Sequence, residues 1–313
     1  MDASVPGPAR PPLADLDAGV AEAAAGPPVR AVIVDATERT VVEGAVEAAD
    51  LGIVEPTFVG PSATVREVAA TVRGAERWPV VDAADDVAAG DLAVDLVADG
   101  RADVLCKGHL HSDVFLHPVL RRLRTSRRLS HVFLCDLERY PRLLGVTDAT
   151  VNIFPDLSQK IEIVRNAVDL MVLLGVERPA VAVLSAVETV NPAIPSTIDG
   201  ASLAVMGARD QVPHATIDGP LAFDDAISAE ASRIKGIDTD VAGRIDVALV
   251  PDLTAGNILV KALEHLAGAT VAGLVLGATV PTVLTSRADP PRSRLASLAL
   301  AAVVHHRTLA ARA

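Results

Sequence analysis

Short runs of consecutive Val, Ile, Leu and Ala recur along the chain, separated by longer Ala-rich and Leu-rich stretches that Gly, Asp and Pro interrupt. Apolar runs of this kind suit strands, and their alternation with helical stretches is the pattern of parallel strands joined by crossover helices. The class predicted is α/β. Strands are expected over 29–34, 57–59, 102–105, 132–134, 180–184, 215–217, 246–250 and 271–276. The clearest helix is expected over 156–174, where Leu157, Ile161, Val164, Val168 and Met171 recur at helical spacing and Ser158 is placed to cap the start. A final helical run, 292–307, can pack on either lobe.

A basic, Ser-containing stretch at 125–130 breaks the apolar periodicity before His131-Val132-Phe133-Leu134 restarts it, and a lobe junction is expected there. A chain of 313 residues is long enough for two lobes or one large α/β domain. The first residues, 1–12, are rich in Pro and read as a disordered leader, with no apolar core of signal-peptide length.

Composition narrows the functions. Half the residues are hydrophobic but only 2% are aromatic, so Ala, Val, Leu and Ile must fill the cores and stacking platforms for bases are scarce. The net charge of −12 also argues against nucleic acid, since the notable basic stripe, 121–128, suits a solvated helix face. Cys106 and Cys135 are the only cysteines and are read as reduced thiols. No apolar run approaches the roughly 18 residues of a membrane span, so a soluble, cytoplasmic protein without membrane partners is expected.

The candidate chemistry lies at predicted strand ends, where α/β enzymes place their ligands. In V-P-T-V-L-T-S-R-A-D, a hydroxyl (Ser286), a guanidinium (Arg287) and a carboxylate (Asp289) fall in one turn. Ser286 can hydrogen-bond a thiol or an oxyanion, Arg287 can grip phosphate through two contacts, and Asp289 can accept a proton or orient the arginine. In A-D-V-L-C-K-G-H-L-H-S-D a strand runs into Lys107-Gly108, with Ser112 or Asp113 placed to cap the next helix. In I-D-V-A-L-V-P-D-L-T-A-G-N-I-L-V-K a strand runs into Pro251-Asp252, and Thr254, Gly256 and Asn257 open a helix bearing Lys261. Free amides at that helix start would form an anion site. The segment 218–226, D-G-P-L-A-F-D-D-A, repeats the strand, turn and helix order and contains Asp224.

These segments carry a family resemblance. L-V-P-D-L-T-A-G-N-I-L-V-K resembles the P-D-x-x-x-G-N-x-x-x-K signature of phosphate acetyltransferases and phosphate butyryltransferases, and G-P-L-A-F-D-D-A-I resembles their G-P segment. T-S-R-A-D and A-D-V-L-C-K-G-H-L-H-S-D-V-F-L are similar to the butyryltransferase forms of two further motifs. The matches run in the family's order from about Ala102 to Leu300; the first hundred residues resemble it more weakly. The resemblance implies reversible transfer of a short-chain acyl group, butyryl-like or acetyl, between coenzyme A and inorganic phosphate. It implies a two-lobed α/β fold of the isocitrate/isopropylmalate dehydrogenase-like architecture, with mostly parallel sheets flanked by helices and a cleft between the lobes. The first domain would be discontinuous, 13–129 plus 286–313, and the second 130–285. Coenzyme A is a substrate there, with no tightly bound cofactor or metal, and a homo-oligomer, dimer or larger, is expected. Ser286, Arg287 and Asp289 would be catalytic, while Lys107, Gly108, His111, Asp224, Asp252, Gly256, Asn257 and Lys261 would handle substrate.

The chain departs from the acetyl-type pattern at informative places. Where acetyl enzymes carry an aspartate seven residues beyond the serine, this chain has Ser293, which leaves Asp289 as the candidate base or, alternatively, a helix-entry residue. Phe223 stands where acetyl enzymes often show tyrosine, a change that leans toward a longer or branched acyl group. His109 and His111 form an H-x-H pair without a third clustered ligand, so zinc is not expected. Two rival readings remain: a non-catalytic acyl-CoA-binding relative, and a metal- and NAD-dependent dehydrogenase of the same architecture, for which no clustered aspartates are evident.

Overall fold

The computed structural model describes residues 13–287 and 289–312, in two compact units. The leader expected at 1–12 lies outside the described residues. Elements are numbered in chain order.

The first unit comprises Leu16–Leu129 and residues 270–312. It holds α1 (Leu16–Ala25), β1 (Val29–Val34), α2 (Arg39–Asp50), β2 (Val54–Gly60), α3 (Ser62–Ala69), β3 (Val80–Asp82), α4 (Asp86–Ala98), β4 (Val104–Lys107) and α5 (Ser112–Arg122). The chain returns to it with β10 (Thr270–Leu276), β11 (Thr282–Val283) and α11 (Pro291–Arg312). The strands lie in the order β3-β2-β1-β4-β11-β10, parallel except where β10 meets β11. Val34 pairs with Lys107 and Cys106 with Val283, so β1, β4 and β11 end at one edge. Strand order reverses between β1 and β4, and such a reversal opens the crevice in which open α/β sheets bind ligands. Near-continuous burial explains the apolar runs: β4 is buried throughout, and β1 is buried at every position except Arg30.

The second unit comprises residues 13–15 and Ser130–Ala269. Its elements are β5 (Ser130–Leu137), β6 (Tyr140–Thr147), α6 (Leu157–Leu173), β7 (Ala180–Leu184), α7 (Pro195–Ala208), β8 (Thr216–Leu221), α8 (Phe223–Ile227), α9 (Ala229–Ile234), β9 (Val247–Leu249) and α10 (Leu253–His265). The order is β5-β6-β9-β7-β8, parallel apart from the β5/β6 hairpin. β9 arrives late in the chain and inserts between β6 and β7, which brings the loops after β6 and β9 side by side. Val250 N donates to Thr147 O at 2.8 Å and Leu253 N to Ile153 O at 3.1 Å across that junction.

Several expectations need correction. Residues 270–285, assigned above to the second domain, lie in the first unit, because β11 hydrogen-bonds in parallel register with β4. Ser112 and Asp113 do not cap α5; His111 holds the cap position with no side-chain cap bond. The best helix, α6, is capped by Asp156 rather than Ser158: Asp156 Oδ1 accepts from Gln159 N at 2.9 Å, and Gln159 Oε1 accepts from Asp156 N at 3.1 Å. Ser158 Oγ instead donates to the same carboxylate at 2.6 Å. Among the described residues, no helix is long and apolar enough to cross a membrane.

The reciprocal cap gives a direct expectation. Asp156→Ala should lower unfolding free energy by about 1 kcal/mol in urea denaturation, as loss of an N-cap generally does, and Ser158→Ala by less. A larger loss for Ser158→Ala than for Asp156→Ala would return the capping role to the serine.

Candidate active site

In the first unit the candidate side chains lie at the shared edge of β1, β4 and β11. Lys107 ends β4 and is 2% exposed, with Nζ 3.5 Å from Thr285 O and 3.4 Å from Gly108 O. Burial, followed by the charges of Arg294 and Arg287, pushes this amine down to about 8. Gly108 follows with no room for a side chain: a Cβ there would lie 2.3 Å from Val34 O and 2.5 Å from Asp35 O. The same approach lets Gly108 N donate to Val34 O at 2.8 Å and His109 N to Asp35 O at 3.0 Å, stitching the two strand ends together. His109 is half-buried with Nε2 3.7 Å from Glu38 Oε1, whereas His111 is exposed.

Beyond β11 the chain turns through the Ser-Arg segment. Asp289 is buried, and its Oδ2 accepts from Ser286 N at 2.8 Å while its own amide donates back to Ser286 O at 3.3 Å. The carboxylate thus braces the turn that presents the serine. Ser286 is half-buried and Arg287 exposed. Ser293, at the place of the acetyl-type aspartate, is 1% exposed inside α11, and its Oγ accepts from Val271 N of β10 at 3.4 Å. Its hydroxyl is committed to the sheet.

The remaining candidates lie in the second unit. Asp252 caps α10, its Oδ1 accepting from Ala255 N at 2.9 Å. The expected anion site at that helix start is therefore already occupied in part by a carboxylate of the chain itself. Gly256 serves close packing: a Cβ there would lie 2.8 Å from Val250 Cγ2 and 2.9 Å from Ala149 Cβ. Asn257 is half-buried on the same turn and Lys261 is exposed one turn further on. Asp224 is exposed and pairs with Lys235 at 2.9 Å, which holds its carboxyl below the usual range. Its neighbour Asp225 is fully buried and also lies 3.1 Å from Lys235 Nζ.

Three residues at these edges escaped the sequence reading. Asp35 follows β1 with a φ of 54° and is 8% exposed; burial raises its carboxyl, opposed by a hydrogen bond from Thr37 Oγ1 at 3.0 Å. Its only sequence signal is an aspartate directly after an apolar strand. Asp148 follows β6 and is 2% exposed, accepting from the amides of His131, Thr150 and Val151 and from Asn152 Nδ2. Arg294, inside α11, is 5% exposed and reaches back to the Ser-Arg turn.

Comparison with known proteins gives this geometry a context. The family described as phosphate acetyl/butaryl transferase matches residues 85–302, well over half of the chain. The chain belongs to that family. A phosphate acetyltransferase of Rhizobium meliloti is 49% identical over 93% of this chain and 94% of its own length. A phosphate butyryltransferase of Clostridium acetobutylicum is 37% identical over 86% and 91%. The solved structure of a branched-chain phosphotransacylase from Enterococcus faecalis V583 has a TM-score of 0.78 at 31% identity, covering 89% of this chain and 99% of that one. A phosphotransacetylase from Streptococcus pyogenes, at 22% identity and the same TM-score, shares the fold. The relative named for acetyl thus shares more residues with this chain than the relative named for butyryl, although two motifs have the butyryl form.

Within this acyltransferase family member the two cysteines are free and buried, and burial pushes each thiol up to about 12. They are packing groups rather than nucleophiles.

Lys107 yields a pH expectation. Its folded value, about 8, lies below the ordinary 10.5, so the folded protein binds this proton less tightly than the unfolded chain does. The burial penalty is fully present below pH 8 and is relieved as pH rises toward 10.5. In denaturant titrations across that range, the stability advantage of Lys107→Met over the unsubstituted protein should be largest below pH 8 and shrink above it. A difference independent of pH would show that the amine is not buried as a cation.

Proposed function

We propose that the protein transfers a short-chain acyl group reversibly between coenzyme A and inorganic phosphate, with its chemical centre at the Ser286–Asp289 turn. The observation that carries this reading is the convergence of Ser286, Arg287 and buried Lys107 at one strand edge, within the segment matched by the family. In the forward direction a phosphate oxygen attacks the thioester carbonyl, the C–O bond forms, the C–S bond breaks, and coenzyme A leaves as thiolate. Charge builds on the carbonyl oxygen and then on sulfur, so fixed donors and cations there lower the barrier most. Ser286 hydrogen-bonds the sulfur, and Arg287 holds phosphate through two parallel contacts. Lys107 adds positive charge from beneath the turn.

Asp289 is proposed to act mainly by holding the serine amide, because one carboxylate oxygen already accepts from it. Asp289 also stays the candidate for proton exchange with the thiol. Gly108 lies at the same edge, against the carbonyls of Val34 and Asp35, while for His111 substrate contact rests on the motif resemblance. For Asp224, Asp252, Gly256, Asn257 and Lys261 substrate handling rests on the motif resemblance, and the exposure of Lys261 is compatible with contact to a ligand phosphate. The acyl groups proposed are acetyl to branched short-chain, in keeping with the names of the relatives. A homo-oligomer acting in the cytoplasm fits this reading, and two reduced, buried thiols suit a reducing compartment.

Incubation with phosphate and acetyl-, propionyl-, butyryl- or valeryl-CoA, followed by thiol titration, tests the proposal. At least one thioester should release thiol in a phosphate-dependent way, and Arg287→Lys should lower kcat/KM by about two orders of magnitude, since an ammonium lacks the planar fork. Binding of coenzyme A without thiol release from any thioester would favour the non-catalytic reading.

A further inference from the structure

Arg294 occupies a position that disfavours a cation in three ways. It is 5% exposed, it lies in the first turns of α11 where the helix dipole is positive, and its charge opposes that of Lys107. Among the described residues it forms no ion pair with a carboxylate, and its Nε is buried without a hydrogen bond. What holds it are oxygens of one short segment. Nη2 donates to Ser286 O at 3.1 Å and to Arg287 O at 3.0 Å, and Nη1 to Thr285 Oγ1 at 3.4 Å. The stem is fixed from the other side by α2, where a Cβ on Gly44 would lie 3.0 Å from Arg294 Cβ. A packing role alone would be filled better by Leu or Met, and a surface ion pair would not require burial.

We propose that Arg294 is a positioning residue for acyl transfer: by binding the main-chain carbonyls of Ser286 and Arg287, it fixes the orientation in which those two side chains meet the substrate. A planar guanidinium can span two successive carbonyls and a hydroxyl at once, which an ammonium cannot. The turn is thereby held from both sides, by Arg294 through its carbonyls and by Asp289 through the Ser286 amide.

The inference rests on the acyl-transfer reading, so its test pairs kinetics with a measurement that needs no activity. Arg294→Met and Arg294→Lys are compared with the unsubstituted protein for kcat, KM for acyl-CoA, thermal midpoint and amide hydrogen exchange. Both variants should lower kcat by about 100-fold, the cost of a displacement near 1 Å, with KM changed less than about twofold. Exchange should rise on the order of tenfold in peptides spanning 284–289 but not in β4 or the middle of α11. Added guanidinium ion should restore part of the activity of Arg294→Met. Unchanged kcat, unchanged exchange at 284–289, or a general loss of folding in both variants would each overturn the proposal. An inactive unsubstituted protein whose variants still show the local exchange increase would instead sink the acyl-transfer reading and leave the tether standing.

Discussion

The parallel register of β1, β4 and β11 is the constraint on which the candidate site depends. Val34, Lys107 and Val283 reach the same edge because each strand is paired in register with its neighbour, and every side chain proposed for the chemistry in this unit hangs from that edge. Gly108 makes the constraint rigid. With carbonyl oxygens of Val34 and Asp35 where a Cβ would stand, the chain leaving β4 is pressed against the chain leaving β1. A slip by one residue would reverse the face of every side chain along the strand.

Electrostatics then acts on a preformed frame. Lys107 and Arg294 are both buried beneath a turn that exposes a third cation, Arg287, and their mutual repulsion contributes to the lowered affinity of Lys107 for its proton. An anion bound above the turn would reverse that balance, since a negative charge favours the protonated amine and relieves the repulsion among the cations. The family's name fits such a frame, because phosphate is the anion that the chemistry requires.

Much of this was legible in the chain, and the parts that were not share physical causes. β1 and β7 fall on the expected 29–34 and 180–184, because strands buried on both faces announce themselves as apolar runs, interrupted in β1 only by Arg30. β6 was missed because Tyr140, Pro141 and Arg142 are at most half-buried, so its apolar signal begins only at Leu143. β11 has two residues, too short for any periodicity, and its membership of the first unit follows from pairing with a strand far away in sequence. The Ser-Arg turn stood out by composition alone. Arg294 did not, since an arginine near the start of a helix looks like any solvated cation until its burial and its two carbonyl partners are known. Asp35 was hidden likewise, its importance lying in a left-handed backbone conformation and in burial rather than in a motif.

The carboxyl edge of β1, β4 and β11 is the proposed place of acyl transfer. A crystal structure with coenzyme A and phosphate bound tests this most directly. The sulfur should lie within hydrogen-bonding distance of Ser286 Oγ, with phosphate oxygens on the Arg287 guanidinium. A thiol and phosphate bound together elsewhere, with that edge untouched, would contradict it.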